Sequence, residues 1–147
     1  MGIRKELTLV LENKPGAAAR VFKGLADDRI NILAMQLEHT GLLRLVVDNP
    51  LHALELMRER KIKVDQRDVL YTVMPNDPGA LGRAAKLLAD AGVNVEYFYS
   101  TAVEGHAMAA VVIGVPDAMK ASAAAGIRLR ARDWVLGAGQ TRLSPRA

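Results

Sequence analysis

The 147-residue chain has no cysteine, few aromatic residues and no long apolar run. Without cysteine there is no disulfide, no thiolate zinc site and no cysteine nucleophile. Aromatics make up 4% of the chain against 50% hydrophobic residues overall, so the core has to be aliphatic. The longest apolar stretch, Ala107 to Ile113, is far too short to cross a bilayer as a helix. The opening residues hold no signal-peptide core, and Glu6 stands where a myristoylation motif needs Ser or Thr. The expectation is a soluble, cytoplasmic protein without a membrane partner. No extreme of charge is present either. The net +4 owes much to late arginines, Arg128, Arg130, Arg132, Arg142 and Arg146, which read as a solvated strand face and a loose tail.

Catalytic and metal signatures are equally absent. His39, His52 and His106 fall on a turn, a helix and a strand start, and none has a partner at the i, i+4 spacing of a zinc helix. Asp27-Asp28 lies at a helix end, Asp65 and Asp68 read as solvated, and Ser100 and Ser122 lack a nearby base. No phosphate loop occurs. The sequence therefore points away from an enzyme and calls for no cofactor and no metal.

What the chain does contain is a repeat. Shifting it by 63 residues lays Asn13-Lys14-Pro15-Gly16-Ala17 on Asn76-Asp77-Pro78-Gly79-Ala80, and ten of the 19 positions from Asn13 to Asn31 then match. Unrelated segments would agree at roughly one such position, so the chain reads as a duplication. Two copies are too few for a solenoid and suggest two small domains, 1–66 and 67–147. Halves of this size bury only about 60% of their unfolded surface, so either they share a large interface or the chain dimerises.

Each half reads βαββαβ. In the first, Lys5 to Leu11 alternates as a strand. A helix carries Ala18, Val21, Phe22, Leu25 and Ala26 on one stripe, and Ile30 to Glu38 is the second strand. Thr40-Gly41 turns the chain into Leu42 to Val47, a strand with little alternation and hence central. Asn49-Pro50 opens a helix over Leu51 to Arg60, and Ile62 to Val64 starts a fourth strand. In the second half the order is strand Val69 to Met74, helix Pro78 to Ala91, strand Val93 to Thr101 and a turn at Glu104-Gly105. Strand His106 to Ile113, helix Asp117 to Ala125 ended by Gly126, and strand Ile127 to Leu136 follow. Asp77 is expected as N-cap and Pro78 as first helical residue. Leu81, Ala84, Ala85, Leu88 and Ala89 form the stripe of that helix, and Gly92 closes it in a left-handed cap. This split order gives the fold class: α+β, two ferredoxin-like units whose antiparallel sheets carry their helices on one face.

The two Asn-x-Pro-Gly-Ala loops, with Ile30-Asn31-Ile32 and Val93-Asn94-Val95, resemble the ACT domain, a small amino-acid-sensing module. The likeness runs from about Lys5 to Leu136 as two tandem copies. It implies a free amino acid bound between paired ACT units, by the loop before the first helix and the start of the second strand. In the first copy this nominates Asn13, Lys14, Pro15, Gly16, Ala17, Asn31 and Ile32. In the second it nominates Asn76, Asp77, Pro78, Gly79, Ala80, Asn94 and Val95. Lys14 stands where the family more usually has an acidic residue.

Physical chemistry supports the same loops. A helix N-terminus offers unpaired N–H groups and partial positive charge to a carboxylate, and Asn provides donor and acceptor for a zwitterion. Glycine at 16 and 79 is read as leaving room for close approach. The plainer alternative is that Pro-Gly only turns strand into helix, while Asn31 and Asn94 only tie off strand starts. Tyr97-Phe98-Tyr99 reads first as core or domain-interface packing; because Tyr97 and Tyr99 follow Asn94, one of them, Tyr97 being the nominee, is the alternative candidate to line the pocket through its hydroxyl. Because Asp77 caps its own helix and Lys14 cannot, the first loop is expected to be the better seat for a ligand carboxylate.

The sequence thus points to an amino-acid-binding regulatory protein, acting through its own assembly as a homodimer or through a biosynthetic enzyme. One alternative is the regulatory subunit of an enzyme such as acetolactate synthase. The other is a ferredoxin-like nucleic-acid binder, for which Leu42 to Val47 and Ala107 to Ile113 offer bases no aromatic platform.

Overall fold

The computed structural model describes residues 2–124. Ten elements follow in order: β1 (Gly2–Val10), α1 (Ala17–Asp27), β2 (Ile32–Leu37), β3 (Leu42–Val47), α2 (Pro50–Glu59), β4 (Asp65–Pro75), α3 (Ala80–Asp90), β5 (Tyr97–Thr101), β6 (Met108–Gly114) and α4 (Ala118–Ala124). They belong to two compact units. The first unit is Arg4–Asp68; the second begins at Val69 and includes the first three residues of the chain. Their boundary falls within β4.

In the first unit β3 is central between β1 and β2, antiparallel to both, with Leu7 opposite Leu45 and Leu37 opposite Leu43. The period of two sends Leu7, Leu9, Leu43, Leu45 and Val47 to one face. There they meet Val21 and Leu25 of α1 and Ala53, Leu56 and Met57 of α2 in one buried cluster. Each such Leu or Met contributes about 1.5–3 kcal/mol by leaving water. The start of β4 lies beside β1, where Lys5 Nζ meets Asp68 Oδ1 at 2.8 Å. α2 begins as its sequence asks: Asn49 Oδ1 accepts the N–H of His52, and Pro50 takes the first turn.

The second unit repeats the plan. β6 lies between β4 and β5, antiparallel to both, with Leu70 and Phe98 opposite Ile113. Leu70, Met74, Val111 and Ile113 face Ala84 and Leu88 of α3 and Ala118 and Ala121 of α4. Ile3 packs against this cluster. The architecture is α+β with two ferredoxin-like units, antiparallel sheets and helices on one face. The expected strand Ile127 to Leu136, the helix-ending Gly126 and the arginine-bearing tail lie outside the described residues.

Several elements differ from their expected form. The segment Ile62 to Val64 is not a strand: Lys61 turns left-handed, and Ile62 N–H closes α2 by bonding Met57 O at 2.9 Å. β4 starts only at Asp65 and takes in the Val69 to Met74 strand. The second strand of the second unit starts at Tyr97, not Val93, because pairing with β6 begins at Tyr97 opposite Gly114. Leu81, expected on the buried stripe of α3, is 50% exposed. Glu6, by contrast, is completely buried on the sheet face away from the helices, 4.0 Å from the Arg44 guanidinium.

Candidate functional site at the head of the first helix

Both Pro-Gly loops end the same way. Gly16 has φ +87° and Gly79 has φ +91°, each in the N-cap place, and neither α1 nor α3 has a side-chain cap. This corrects the expected N-terminus of α3. Pro78 precedes the helix, and the Asp77 carboxylate accepts from Arg83 Nη2 at 2.8 Å instead of from a backbone N–H. Glycine also meets a backbone need at both places, since positive φ strains a side chain; a Cβ at Gly16 would meet no protein atom within 4 Å.

In the first unit the ladder of α1 opens with Arg20 N–H on Gly16 O at 3.0 Å, after Ala17 N–H has turned back to Lys14 O. The N–H groups of Ala18 and Ala19 precede that ladder and point out of the helix end. In front of Ala18 is a cavity of about 350 Å³. One wall is the loop itself, with Asn13, Lys14 and Ala17. The other is the hairpin between β2 and β3, with Leu37, Glu38, His39 and Gly41. The Glu12 carboxylate pairs with Lys14, and Glu38 pairs with Arg44. Lys14 donates a hydrogen bond to Glu12, and with its charge holds that carboxyl below its ordinary value. Open N–H groups thus lie on the helix side and the Glu38 carboxylate on the hairpin side, while the Lys14–Glu12 ion pair lies on the loop wall. Such a cleft suits a molecule carrying both charges.

The corresponding place in the second unit is nearly filled. Its cavity is about 80 Å³, lined in part by Asn76, Asp77, Ala80 and Ser100. Asn76 Nδ2 donates to the carbonyls of Val103 and His106, each at 3.1 Å.

The remaining nominated residues fall elsewhere. Pro15 and Gly16, and Pro78 and Gly79, shape the loops without lining these two cavities. Asn31 and Ile32 stand beyond the far end of α1, whose 11 residues span about 16 Å. The Asn31 N–H is held there by Asp48 Oδ1 at 3.0 Å. Asn94 lines a separate hollow of about 250 Å³ with Gly92, Pro116, Asp117 and Lys120, and Val95 packs on the core. Tyr97 lines neither loop: its ring covers Gly114 and stacks on Tyr99 at 6.3 Å between centroids. The hairpin wall, Leu37 to Gly41, was not nominated from the sequence. Its one local signal is the Thr40-Gly41 turn, since only the β1–β3 pairing brings it to the loop. Among the described residues, no group of three or more His, Cys, Asp or Glu could hold a metal ion.

A pair of ferredoxin-like units, each opening its first helix on an Asn-x-Pro-Gly-Ala loop, defines a paired small module of the α+β class. The chain belongs to the ACT domain family: the description "ACT domain pair" matches residues 1–127. A solved protein from Bacteroides thetaiotaomicron is 33% identical, with a TM-score of 0.75 over 83% of this chain and 85% of that one. The ligand-free regulatory subunit of aspartate kinase from Thermus thermophilus shares the fold at 20% identity and a TM-score of 0.58. That match covers 88% of this chain and 95% of the subunit. E. coli aspartokinase III, solved with lysine and aspartate, shares it at 15% identity and a TM-score of 0.53, over 81% of this chain and 29% of that enzyme. No curated protein matches the chain.

Proposed function

We propose that this protein is a cytoplasmic regulator that binds a free amino acid in its first ACT unit and catalyses no reaction. The observation that carries this is the 350 Å³ cavity at the head of α1, with open helix N–H groups and the Lys14–Glu12 pair on the loop wall and Glu38 on the hairpin wall. The ligand carboxylate lies against the N–H groups of Ala18 and Ala19 and the Lys14 ammonium, where the helix dipole favours negative charge. Its ammonium lies toward Glu12 and Glu38, and Asn13 serves either end.

Asn31 and Ile32 are too far from their own loop to join this site, and enter one only from a second copy of the chain. That geometry, together with the small size of each unit, supports a homodimer. The output is a change in assembly or in a partner enzyme of amino-acid biosynthesis. The likeness to aspartate kinase regulatory domains supports the second route. The two ACT copies are taken to divide near residue 66. A nucleic-acid role is disfavoured, since Tyr97 stacks on Tyr99 and the Tyr99 side chain is buried, so the pair offers no open platform to a base.

Thermal-shift measurement with each of the twenty amino acids tests the reading. At a hundred times Kd the responding amino acid adds about 2.7 kcal/mol of stability. Lys14→Ala should fold normally and lose most of that shift. If no amino acid moves the transition, the sensor reading is wrong.

A further inference from the structure

The two units treat the same place in opposite ways. Five residues, 38–42, separate the register pair Leu37 and Leu43, whereas ten, 101–110, separate Ser100 and Val111, the matching pair in the second unit. The longer hairpin reaches over its loop and offers it three carbonyls. Asn76 N–H donates to Ala107 O at 2.9 Å, and its side-chain amide donates to Val103 O and His106 O. Asn13, the residue at the same place in the first unit, makes no side-chain hydrogen bond among the described residues. The cavity there is about 350 Å³ against about 80 Å³.

We propose that Asn76 plugs the second unit's cleft, its amide standing where the ligand's ammonium stands in the first unit, so that each chain takes one amino acid. This rests on the sensing reading above. The chemistry matches end for end. In the first unit the hairpin side of the cleft supplies an acceptor, the carboxylate of Glu38. In the second unit the hairpin supplies acceptors as carbonyls, and Asn76 Nδ2 already spends both its hydrogens on them. A ligand entering there would have to break the plug's hydrogen bonds before making its own. The helix side is guarded as well. Asp77 lies where a carboxylate would arrive, and Arg83 is already held by Asp77 at 2.8 Å. Lys14, itself paired with Glu12, presents the opposite charge at the matching place.

The test is calorimetric titration of the full chain with the amino acid that gives the largest thermal shift, together with amide hydrogen exchange. The wild type should bind one ligand per chain. Asn76→Ala, and Asn76→Asp as a variant of the same shape without donors, should leave that event unchanged and add a second, weaker one. In both variants the backbone N–H of residue 76 should exchange at least tenfold faster, while residues 13–17 exchange as before. Two equivalent ligands per wild-type chain overturn the plug. So does unchanged exchange in the variants, or a loop that loosens without gaining a site. Binding of no amino acid at all refutes the sensing reading instead, while the exchange data still judge the staple.

Discussion

Arg29 and Lys61 are the only non-glycine residues with positive φ among the described residues, at +55° and +56°. Each sits just past a helix, where the closing bonds leave the backbone no other choice. Ile30 N–H reaches Leu25 O at 2.9 Å, and Ile62 N–H reaches Met57 O at the same distance. The repeat supplies an internal control, because the counterpart of Arg29 is Gly92, with φ +70° and the matching bond from Val93 N–H to Leu88 O. A side chain in this left-handed region carries a strain of about 1–2 kcal/mol that glycine escapes. Arg29→Gly should therefore stabilise the protein by about 1 kcal/mol, read as a higher urea midpoint with an unchanged slope. An unchanged or lower midpoint would show that the Arg29 side chain makes up for its backbone. Single residues also show where sequence reading reaches its end. Asp77 is a good capping type in the right place, yet Arg83 takes its carboxylate. Glu6, a charged residue within a strand, is wholly buried, which no neighbouring residue signals.

At the level of elements, what is local was legible. The two loops, the helices behind them and the two tight turns are written in neighbouring residues: a Pro-Gly step, a stripe at helical spacing, a glycine where φ must be positive. Strand limits were not. Val93 and Val95 alternate with Asn94 and Glu96 as a strand would, but they pack on the core from irregular chain, and pairing waits for Tyr97 opposite Gly114. Apolar alternation reports burial and says nothing of where a partner strand lies. The same limit hid half of the cleft. Its loop wall could be named because it recurs in the sequence. Its hairpin wall, Leu37 to Gly41, reaches the loop only through the pairing of Leu9 with Leu43, and no local pattern encodes that. The difference between the units has the same origin: five extra hairpin residues, harmless to either strand, decide whether the cleft is open.

The whole molecule is a pair of ACT units with an open cleft in the first. Each unit ends in an edge strand, β2 in the first and β5 in the second, with unpaired backbone along it. The proposed homodimer pairs such an edge and brings Asn31 and Ile32, set off from their own loop by the length of α1, about 16 Å, to the loop of a second copy. Sedimentation equilibrium at micromolar concentration should accordingly give twice the 15.9 kDa chain mass. A clean monomer, with and without amino acid, would remove the dimer from the account. No helix among the described residues is long and apolar enough to cross a membrane.

The central claim is that an amino acid seats its carboxylate on the first turn of α1, and backbone amide NMR of the full chain tests it most directly. Titration with the stabilising amino acid should move the Ala18 and Ala19 amide signals first and furthest, with Asn13 and Gly41 following at the cleft walls. The Leu81 and Gly82 amides, at the same place on α3, should stay put. Shifts confined to Leu81 and Gly82, or scattered over residues remote from both loops, would contradict the account.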